Sequence, residues 1–117
     1  MPADYAYDYA IIRVVPRVER GEMINVGVIL SCPHLDFLEA AIEFDEARLG
    51  ALDATLDPAI VRAHLDTIPA ICRGGAGPIA ELPQRQRFHW LVSPRSTVLQ
   101  VSPVHSGLCE SPEATLL

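Results

Sequence analysis

The sequence lacks lysine altogether, and this absence limits the surfaces that the chain can present. All nine basic residues are arginines against 15 acidic residues, so the formal net charge at pH 7 is −6. Binding to nucleic acid or to an anionic membrane depends on clustered basic side chains. The composition therefore argues against both of these partners. Arginine favours planar, paired contacts with carboxylate or phosphate groups, although an all-arginine count is also typical of a GC-rich genome.

Long hydrophobic runs are also missing. The uninterrupted apolar runs are only a few residues long, whereas a transmembrane helix needs about 20 apolar residues. The acidic start, MPADYAYDY, lacks the basic region of a signal peptide. The sequence therefore predicts neither a membrane-spanning segment nor a secreted protein.

The cysteines are few, odd in number and widely spaced, at Cys32, Cys72 and Cys109. This spacing does not predict a disulfide framework, so we expect a cytoplasmic protein with reduced thiols. Cys32 and Cys72 fall on apolar faces of predicted elements, which favours roles as small core residues. Cys109 falls in a predicted loop, where we expect an exposed thiol.

The apolar fraction is high for a chain of this size. Half of the 117 residues are apolar and the mean hydropathy is +0.22. A chain of this length forms one domain and buries roughly two-thirds of the surface of its unfolded state. We therefore predict a single domain over residues 1–117. The apolar fraction is high for a small monomer, which indicates that a protein partner or a homo-oligomer covers some apolar surface.

The clearest pattern is the stretch from Tyr9 to Cys32. Every even position over 24–32 is apolar, and this period of two predicts a strand with one face in the core. The apolar, β-branched residues of 11–15 predict a preceding strand that is buried on both faces, with Arg13 as an interruption. Because the connection over 16–22 is charged and contains proline and glycine, the two strands are predicted to form an antiparallel hairpin.

The remaining patterns predict further strands and helices. They are a strand over 38–44, a short helix over 46–49 ended by Gly50, a helix over 57–71 that Pro69 bends or ends, a helix entered at Pro83 and closed by Pro94, and a strand over 96–101. Residues 104–109 are predicted to be loop, followed by a C-terminal helix that is short or trimmed. The fold class is therefore α+β, a two-layer sandwich in which an antiparallel sheet of about four strands carries two or three helices on one face.

Two groups of polar residues have no evident role in the core. They are Arg13, Arg17 and Asn25 near the hairpin connection, and Arg95, Ser96 and His105 near the last strand. If the last strand joins the sheet beside the first, both groups face one cleft. There Arg13, Arg95 and His105 are suited to hold a phosphate or a carboxylate. In the alternative, Arg13 and Arg95 pair with acidic residues on an ordinary sheet face.

The pair Asn25 and Gly27 also allows two interpretations. The two residues lie one stride apart on the same face of the predicted strand. Their small or polar character suits the close approach of a ligand to the backbone, but it is equally typical of a β-bulge.

No pattern predicts catalysis, a metal site or a cofactor. His105 lies near Ser106, but no acid stands at a spacing suited to orient it. The four histidines lie far apart, and none has a cysteine or acid at the usual ligand spacing. The glycine-rich segment 74–78 lacks the lysine of a phosphate-binding loop and is predicted to be a mobile linker. We therefore expect no enzyme activity.

Four stretches of the sequence resemble one bacterial family. They are YDYAIIRVVPRVERGEMINVGVIL, IPAICRGG, QRFHWLVSPRSTVLQVSPVHSG and LCESP. Together they are similar to the family catalogued as domain of unknown function 3037, from Tyr7 to about Pro112. The resemblance implies a small bacterial cytoplasmic protein with no assigned activity, whose gene often lies beside that of a HipA-like kinase. Members usually continue into a C-terminal helix, so the resemblance also implies a short or trimmed version.

Two functions remain open from the sequence. The first is an accessory or interaction module that acts through a protein partner, such as a HipA-like kinase, or through self-association. The alternative is a protein that binds a small anionic ligand or handles a phosphoryl group in a cleft lined by Arg13, Arg95 and His105.

Overall fold

The fold is an antiparallel sheet with three helices on one face and a short fourth helix on the other. The structure is a computed structural model that describes residues 4–16, 21–93 and 98–116. The strands are β1 (Tyr5–Val14), β2 (Ile24–Cys32), β3 (Phe37–Ile42), β4 (Leu99–Val101) and β5 (His105–Cys109). The helices are α1 (Glu46–Leu52), α2 (Pro58–Arg73), α3 (Gln84–Leu91) and α4 (Pro112–Leu116).

The sheet is centred on β1. The strand order is β3-β2-β1-β4, all pairs are antiparallel, and β5 also pairs with β1. The hairpin of β1 and β2 and the placement of the last predicted strand beside the first are therefore confirmed, as is the α+β class. The loop predicted over 104–109 was wrong, because β5 forms there. Its residues are weak strand formers, and pairing with the long free edge of β1 overrides that preference.

Ser102 joins β4 to β5 without interrupting the hydrogen bonding of β1. Its backbone N–H donates to the carbonyl oxygen of Ile11 at 2.8 Å, and its Oγ accepts from the Ile11 N–H at 2.8 Å. The hydroxyl thus replaces a backbone carbonyl, and Ser102 is only 3% exposed. The edge of the sheet changes from β4 to β5 at this point, and the N–H of Ile11 still has a hydrogen-bond acceptor.

A β-bulge interrupts the pairing of β1 with β2. Ile12 lies opposite Gly27, but the next residue, Arg13, lies opposite Asn25, so Val26 has no partner in β1. A bulge of this kind inserts one residue into one strand and reverses its alternation from that point. The bulge interpretation of the Asn25 and Gly27 pair is therefore confirmed.

The bulge also divides the even positions of β2 between the two faces of the sheet. Ile24 and Val26 lie with Ile29 in the core beneath the helices, whereas Leu30 and Cys32 belong to an apolar cluster on the other face. The prediction that all even positions over 24–32 share one core face was wrong. The period of two is continuous in the sequence, but the extra residue breaks it in space.

We call the apolar residues between the sheet and the first three helices the helix-side core. Its buried members are Ile12, Val14, Ile24, Val26, Ile29, Leu38, Leu49, Val61, Leu65, Ile68, Cys72, Phe88 and Leu91. The stripe that α2 contributes recurs every three or four residues, as expected for a helix with one buried face. This stripe continues past Pro69, and α2 remains helical as far as Arg73. Of the bend or end predicted at Pro69, the end is therefore excluded. The predicted end of α1 at Gly50 was wrong, because α1 continues to Leu52.

The opposite face carries a smaller group, which we call the α4 cluster: Leu30, Cys32, Phe37 and Cys109, with Leu116 of α4 packed against it. Ser111 directly precedes helix α4, and its Oγ accepts from the N–H of Ala114 at 3.3 Å. Cys109 is only 6% exposed, so the exposed thiol expected there was wrong. It is buried because β5 places it opposite Tyr5 in the sheet.

Candidate functional site

An apolar groove lies between α2, the end of α3 and β4. Its volume is about 590 Å³, within the roughly 300–1,000 Å³ that is typical of ligand sites. The lining residues are Ile12, Thr55, Leu56, Asp57, Ile60, Val61, His64, Thr67, Ile68, Trp90, Leu91, Val98, Leu99, Gln100 and Val101. No sequence pattern predicts this groove, because its walls come from segments far apart in the chain.

One side of α2 forms the long wall of the groove. Asp57, Ile60, His64 and Thr67 recur at intervals of three or four residues and line it together. This stripe lies beside the one that packs into the helix-side core, and Ile60 is 59% exposed. An isoleucine that is more than half exposed beside an apolar groove marks a surface suited to an apolar partner.

The rim of the groove is weakly acidic. Among the described lining residues the single carboxylate is that of Asp57, and none is an arginine. Asp57 is the N-cap of α2, and its Oδ1 accepts from the N–H of Ala59 at 2.9 Å. The hydroxyl of Thr67 donates to the backbone carbonyl of His64 at 2.7 Å. These polar groups therefore stabilise the helix that forms the wall.

A second candidate lies on the other face of the sheet, where three polar residues form a row across three strands. Arg13 in β1 lies opposite Asn25 in β2 and opposite Gln100 in β4. Its chain neighbours Ile12 and Val14 are both in the helix-side core, so the side chain of Arg13 points to the opposite face. We call these three residues the Arg13 row.

The guanidinium of Arg13 is incompletely bonded within the protein. Its Nε is buried and has no hydrogen-bond partner. No ion pair joins Arg13 to any other residue in the part of the chain that the structure describes. The predicted alternative, in which Arg13 pairs with an acid on the sheet face, is thus not seen among residues 4–16, 21–93 and 98–116.

His105 lies on the same face as Arg13 but farther along the sheet. It is opposite Tyr9, and the centroids of the two rings are 5.3 Å apart. Tyr9 and Arg13 are separated along β1 by four residues, or roughly 13 Å at about 3.3 Å per residue. The structure therefore brings Arg13 and Asn25 together and places His105 in an aromatic row with Tyr7 and Tyr9. Of the other predicted site residues, Arg17, Arg95 and Ser96 lie outside the described residues.

A polar network on the helix side joins α3 to the sheet. Asp8 accepts hydrogen bonds from Ser106 Oγ at 2.6 Å and from Arg85 Nη2 at 2.5 Å. Arg85 also donates to Ser31 Oγ at 2.8 Å. Partial burial by itself raises the pKa of Asp8, but the hydrogen bonds and the charge of Arg85 outweigh it and hold that pKa below 3.8.

Asp8 is a weak base within this network. Ser106 donates its hydroxyl to Asp8, but the hydrogen bonds to Asp8 and its ion pair with Arg85 lower the pKa of that carboxylate, so it attracts the Ser106 proton only weakly. The four bonded side chains come from β1, β2, β5 and α3, and together they fix α3 on the sheet. The sequence did not reveal the network, because Asp8 and Arg85 are 77 residues apart.

Arg87 makes a second structural contact from α3. Its Nη1 donates to the backbone carbonyls of Ile71 and Cys72, and its Nε donates to that of Leu82. The first two carbonyls belong to the last turn of α2, where a cation and a donor are both stabilising. This contact caps α2 beyond Pro69 and holds the start of the glycine-rich segment.

Comparison with known proteins identifies the family. One family, described as "Protein of unknown function (DUF3037)", matches residues 9–117, nearly the whole chain. The chain belongs to the DUF3037 family. The family resemblance of the sequence is thereby confirmed. No match was found among curated proteins or among solved structures.

Several residues in the stretches that resemble DUF3037 have structural roles. A Cβ on Gly27 would lie 2.4 Å from the carbonyl oxygen of Ala41, and one on Gly107 would lie 2.6 Å from Tyr7 Oη. Ser102 joins β4 to β5, as described above. Arg13 and Asn25, which also lie in these stretches, belong to the Arg13 row.

The described residues contain no candidate for a metal site or for a membrane-spanning helix. No group of three or more histidine, cysteine, aspartate and glutamate side chains in residues 4–16, 21–93 and 98–116 is arranged to hold a metal ion. Over the same residues, no helix has the length and apolar character needed to cross a membrane.

Proposed function

We propose that this DUF3037 protein is a non-catalytic interaction module that docks an amphipathic helix of a partner protein in the groove between α2 and β4. The observation that supports the proposal is the groove itself, an apolar recess of about 590 Å³ on the surface of a small chain. Grooves of this kind bind helices through apolar side chains at positions i, i+3 or i+4, and i+7.

The dimensions of the groove favour a helix as its occupant. The lining residues of α2 extend from Asp57 to Ile68, which corresponds to roughly 16 Å or about three helical turns. A helix of that length presents three or four apolar side chains along one face. Trp90 and Leu91 at the end of α3 and Val98 beside β4 supply the apolar surface against which those side chains pack.

The charge around the groove determines which residues should lie beside the apolar face of the partner helix. The rim carries the carboxylate of Asp57 and no described arginine, and the chain as a whole has a net charge of −6. A helix with lysine or arginine beside its apolar face complements this surface and avoids like-charge repulsion. The partner that the family resemblance suggests is a HipA-like kinase, and we propose it as the first protein to test.

Selection of peptides from a displayed library tests the chemistry of the occupant. The wild-type chain should enrich peptides with apolar residues at helical spacing and with basic flanks. Trp90 is the single tryptophan and lines the groove, so its fluorescence should change on binding of an enriched peptide. Enrichment of peptides without this pattern, or binding that leaves Trp90 fluorescence unchanged, would contradict the proposal.

Two matched variants locate the interaction. Ile60→Glu places a carboxylate in the groove, whereas Leu108→Glu makes the same kind of change at an exposed position in β5, where leucine is 69% exposed. We expect Ile60→Glu to weaken binding of the enriched peptide, and of a purified HipA-like kinase that binds the wild type, by at least about tenfold, or about 1.4 kcal/mol. Leu108→Glu should bind as the wild type does.

Self-association through the groove is the competing outcome. Sedimentation would then show a concentration-dependent dimer that Ile60→Glu dissociates and Leu108→Glu does not. That result would replace the partner helix with a second copy of the chain. A monomer whose peptide binding is lost in Ile60→Glu supports the proposal as stated.

A further inference from the structure

We propose that the Arg13 row is a binding site for an oxyanion, the carboxylate or phosphate group of a small ligand. The site would consist of Arg13, Asn25 and Gln100 on the sheet face opposite the helices. Gln100 also lines the groove proposed for the partner helix, but Arg13 and Asn25 do not, and Arg13 points away from the helix-side core. Substitutions at Arg13 and Asn25 therefore leave the lining of the groove unchanged, and the two proposals can fail independently.

The guanidinium of Arg13 has a donor without an acceptor among the described residues. A guanidinium carries five N–H donors in one plane and accepts no hydrogen bond. The Nε of Arg13 is buried and lacks a partner, and no described acid pairs with the side chain. Buried donors are nearly always satisfied in folded proteins, so an unsatisfied one beside an accessible surface indicates a missing acceptor. A carboxylate or phosphate supplies planar or clustered oxygens that match this donor geometry.

The neighbours of Arg13 support the same ligand chemistry. The β-bulge places Asn25 opposite Arg13, a position that regular pairing would give to the apolar Val26. Gln100 lies opposite Arg13 on the other side. The carboxamide of Asn25 can donate an N–H to an oxyanion, and neither neighbour brings a negative charge that would compete with it. Bulges commonly re-aim side chains at binding sites in this way.

Access to the row is open at Asn25. The structure shows Asn25 exposed, while Arg13 and Gln100 are half-buried. A ligand can therefore reach the guanidinium from solvent while its oxyanion contacts groups that are partly shielded from water. Partial shielding strengthens a charge-assisted hydrogen bond relative to one at a fully exposed surface.

Nuclear magnetic resonance of the arginine side chains tests the site directly. Arg13 Nε–H should give a saturable shift on titration with inorganic phosphate or with acetate at constant ionic strength. The Nε–H signals of Arg48, which is exposed in α1, serve as the internal control and should not saturate. A response to phosphate alone assigns a phosphate-bearing ligand, and a response to acetate alone assigns a carboxylate. Equal, non-saturating shifts of all arginines would overturn the proposal.

Two substitutions separate anion binding from a structural role. Arg13→Lys keeps the positive charge but removes the Nε–H and the planar fork, and it should weaken the saturable binding at least about tenfold. Arg48→Lys is the matched control and should bind the anion as the wild type does. Asn25→Asp places a carboxylate opposite Arg13 and should abolish binding by occupying the guanidinium.

Arg13→Lys and Asn25→Asp together keep the test valid if one variant does not fold. Asn25→Asp changes an exposed residue, so it keeps the test decisive if Arg13→Lys does not fold. Anion binding that survives Asn25→Asp, or that is unchanged in a folded Arg13→Lys, would overturn the site. Neither result bears on peptide binding in the groove, which is read from Trp90 on the helix side.

Discussion

Gly27 occupies a position in β2 that leaves no room for a side chain. A Cβ there would lie 2.4 Å from the carbonyl oxygen of Ala41, 3.1 Å from Ile42 Cδ1 and 3.2 Å from Ile12 Cδ1. The closest of these atoms belongs to the backbone of β3, which cannot move without disturbing the pairing of β2 with β3. The glycine next to the bulge therefore permits the close spacing of β1, β2 and β3.

The lack of room at Gly27 predicts that a larger residue there destabilises the fold. We expect Gly27→Ala to lower the free energy of unfolding by about 1–3 kcal/mol, the usual cost of overpacking a well-packed site. Gly50→Ala is the matched control. Gly50 lies within α1 with nothing within 4 Å of an added Cβ, so alanine should stabilise the chain by about 0.5–1 kcal/mol. Urea unfolding of both variants provides the measurement. Equal stability of Gly27→Ala and the wild type would contradict the packing argument.

Single residues also show where sequence reasoning about the site ends. Arg13 was identified because it interrupts a β-branched run, and Asn25 because it is a polar residue one stride from Gly27 on the less apolar face of the predicted strand. Asp8 and Arg85 gave no such signal, since each is an ordinary charged residue and only the fold brings them together. The groove was missed for the same reason, because its walls come from α2, α3 and β4.

At the scale of the element, α3 is held to the sheet by charge as well as by packing. Phe88 and Leu91 enter the helix-side core. Arg85 joins Asp8 and Ser31 and also lies 4.9 Å from the centre of the Phe88 ring. The helix is short, so its stability depends mainly on these tertiary contacts.

The charge of Asp8 gives the second prediction. The folded-state pKa of Asp8 lies below its ordinary value of 3.8, so the carboxylate stabilises the fold above the unfolded-state pKa. This contribution is lost as the pH falls through the lower, folded-state pKa. We therefore expect Asp8→Asn to be less stable than the wild type at pH 6, with a difference that narrows as the pH falls below about 4.

Urea unfolding followed by Trp90 fluorescence at several pH values between 6 and 3 measures this difference. Asp66→Asn, an exposed change on α2, controls for the loss of one negative charge. A difference between Asp8→Asn and the wild type that stays constant or widens towards pH 3 would show that the ion pair does not act as described.

The elements also show which parts of the fold were predictable. Alternation and β-branched residues identified β1, β2 and β3, and proline at the start with good helix formers identified α3. The bulge in β2 was predicted only as one of two interpretations of Asn25 and Gly27, because an extra residue leaves the sequence alternation unbroken. The helix was predicted as far as residue 71, with a bend or an end at Pro69, and β5 was missed. The continuation past Pro69 and the formation of β5 depend on long-range contacts, the cap from Arg87 and the free edge of β1.

At the scale of the whole molecule, the sheet separates two apolar groups of unequal size. Among the residues that the structure describes, the helix-side core contains 13 buried side chains and is covered by α1, α2 and α3. The α4 cluster contains four in the same part of the chain, and α4 packs against it. Segments with few buried contacts open at lower free energy than the rest of a fold. The α4 side should therefore open before the helix side.

The three thiols report on this difference, because Cys72 lies in the helix-side core whereas Cys32 and Cys109 lie in the α4 cluster. Burial raises the pKa of Cys72 to about 12 and also raises that of Cys32 above its usual range. The reactive thiolates of Cys72 and Cys32 are therefore scarce in the folded state. All three thiols are buried, so alkylation proceeds through opened states. We expect iodoacetamide at pH 8 to label Cys32 and Cys109 at least about tenfold faster than Cys72, which corresponds to about 1.4 kcal/mol in opening free energy.

Mass spectrometry of peptides after timed pulses gives the three rates, and labelling in concentrated urea should make them equal. Equal rates in native buffer would mean that both faces of the sheet open together as one unit.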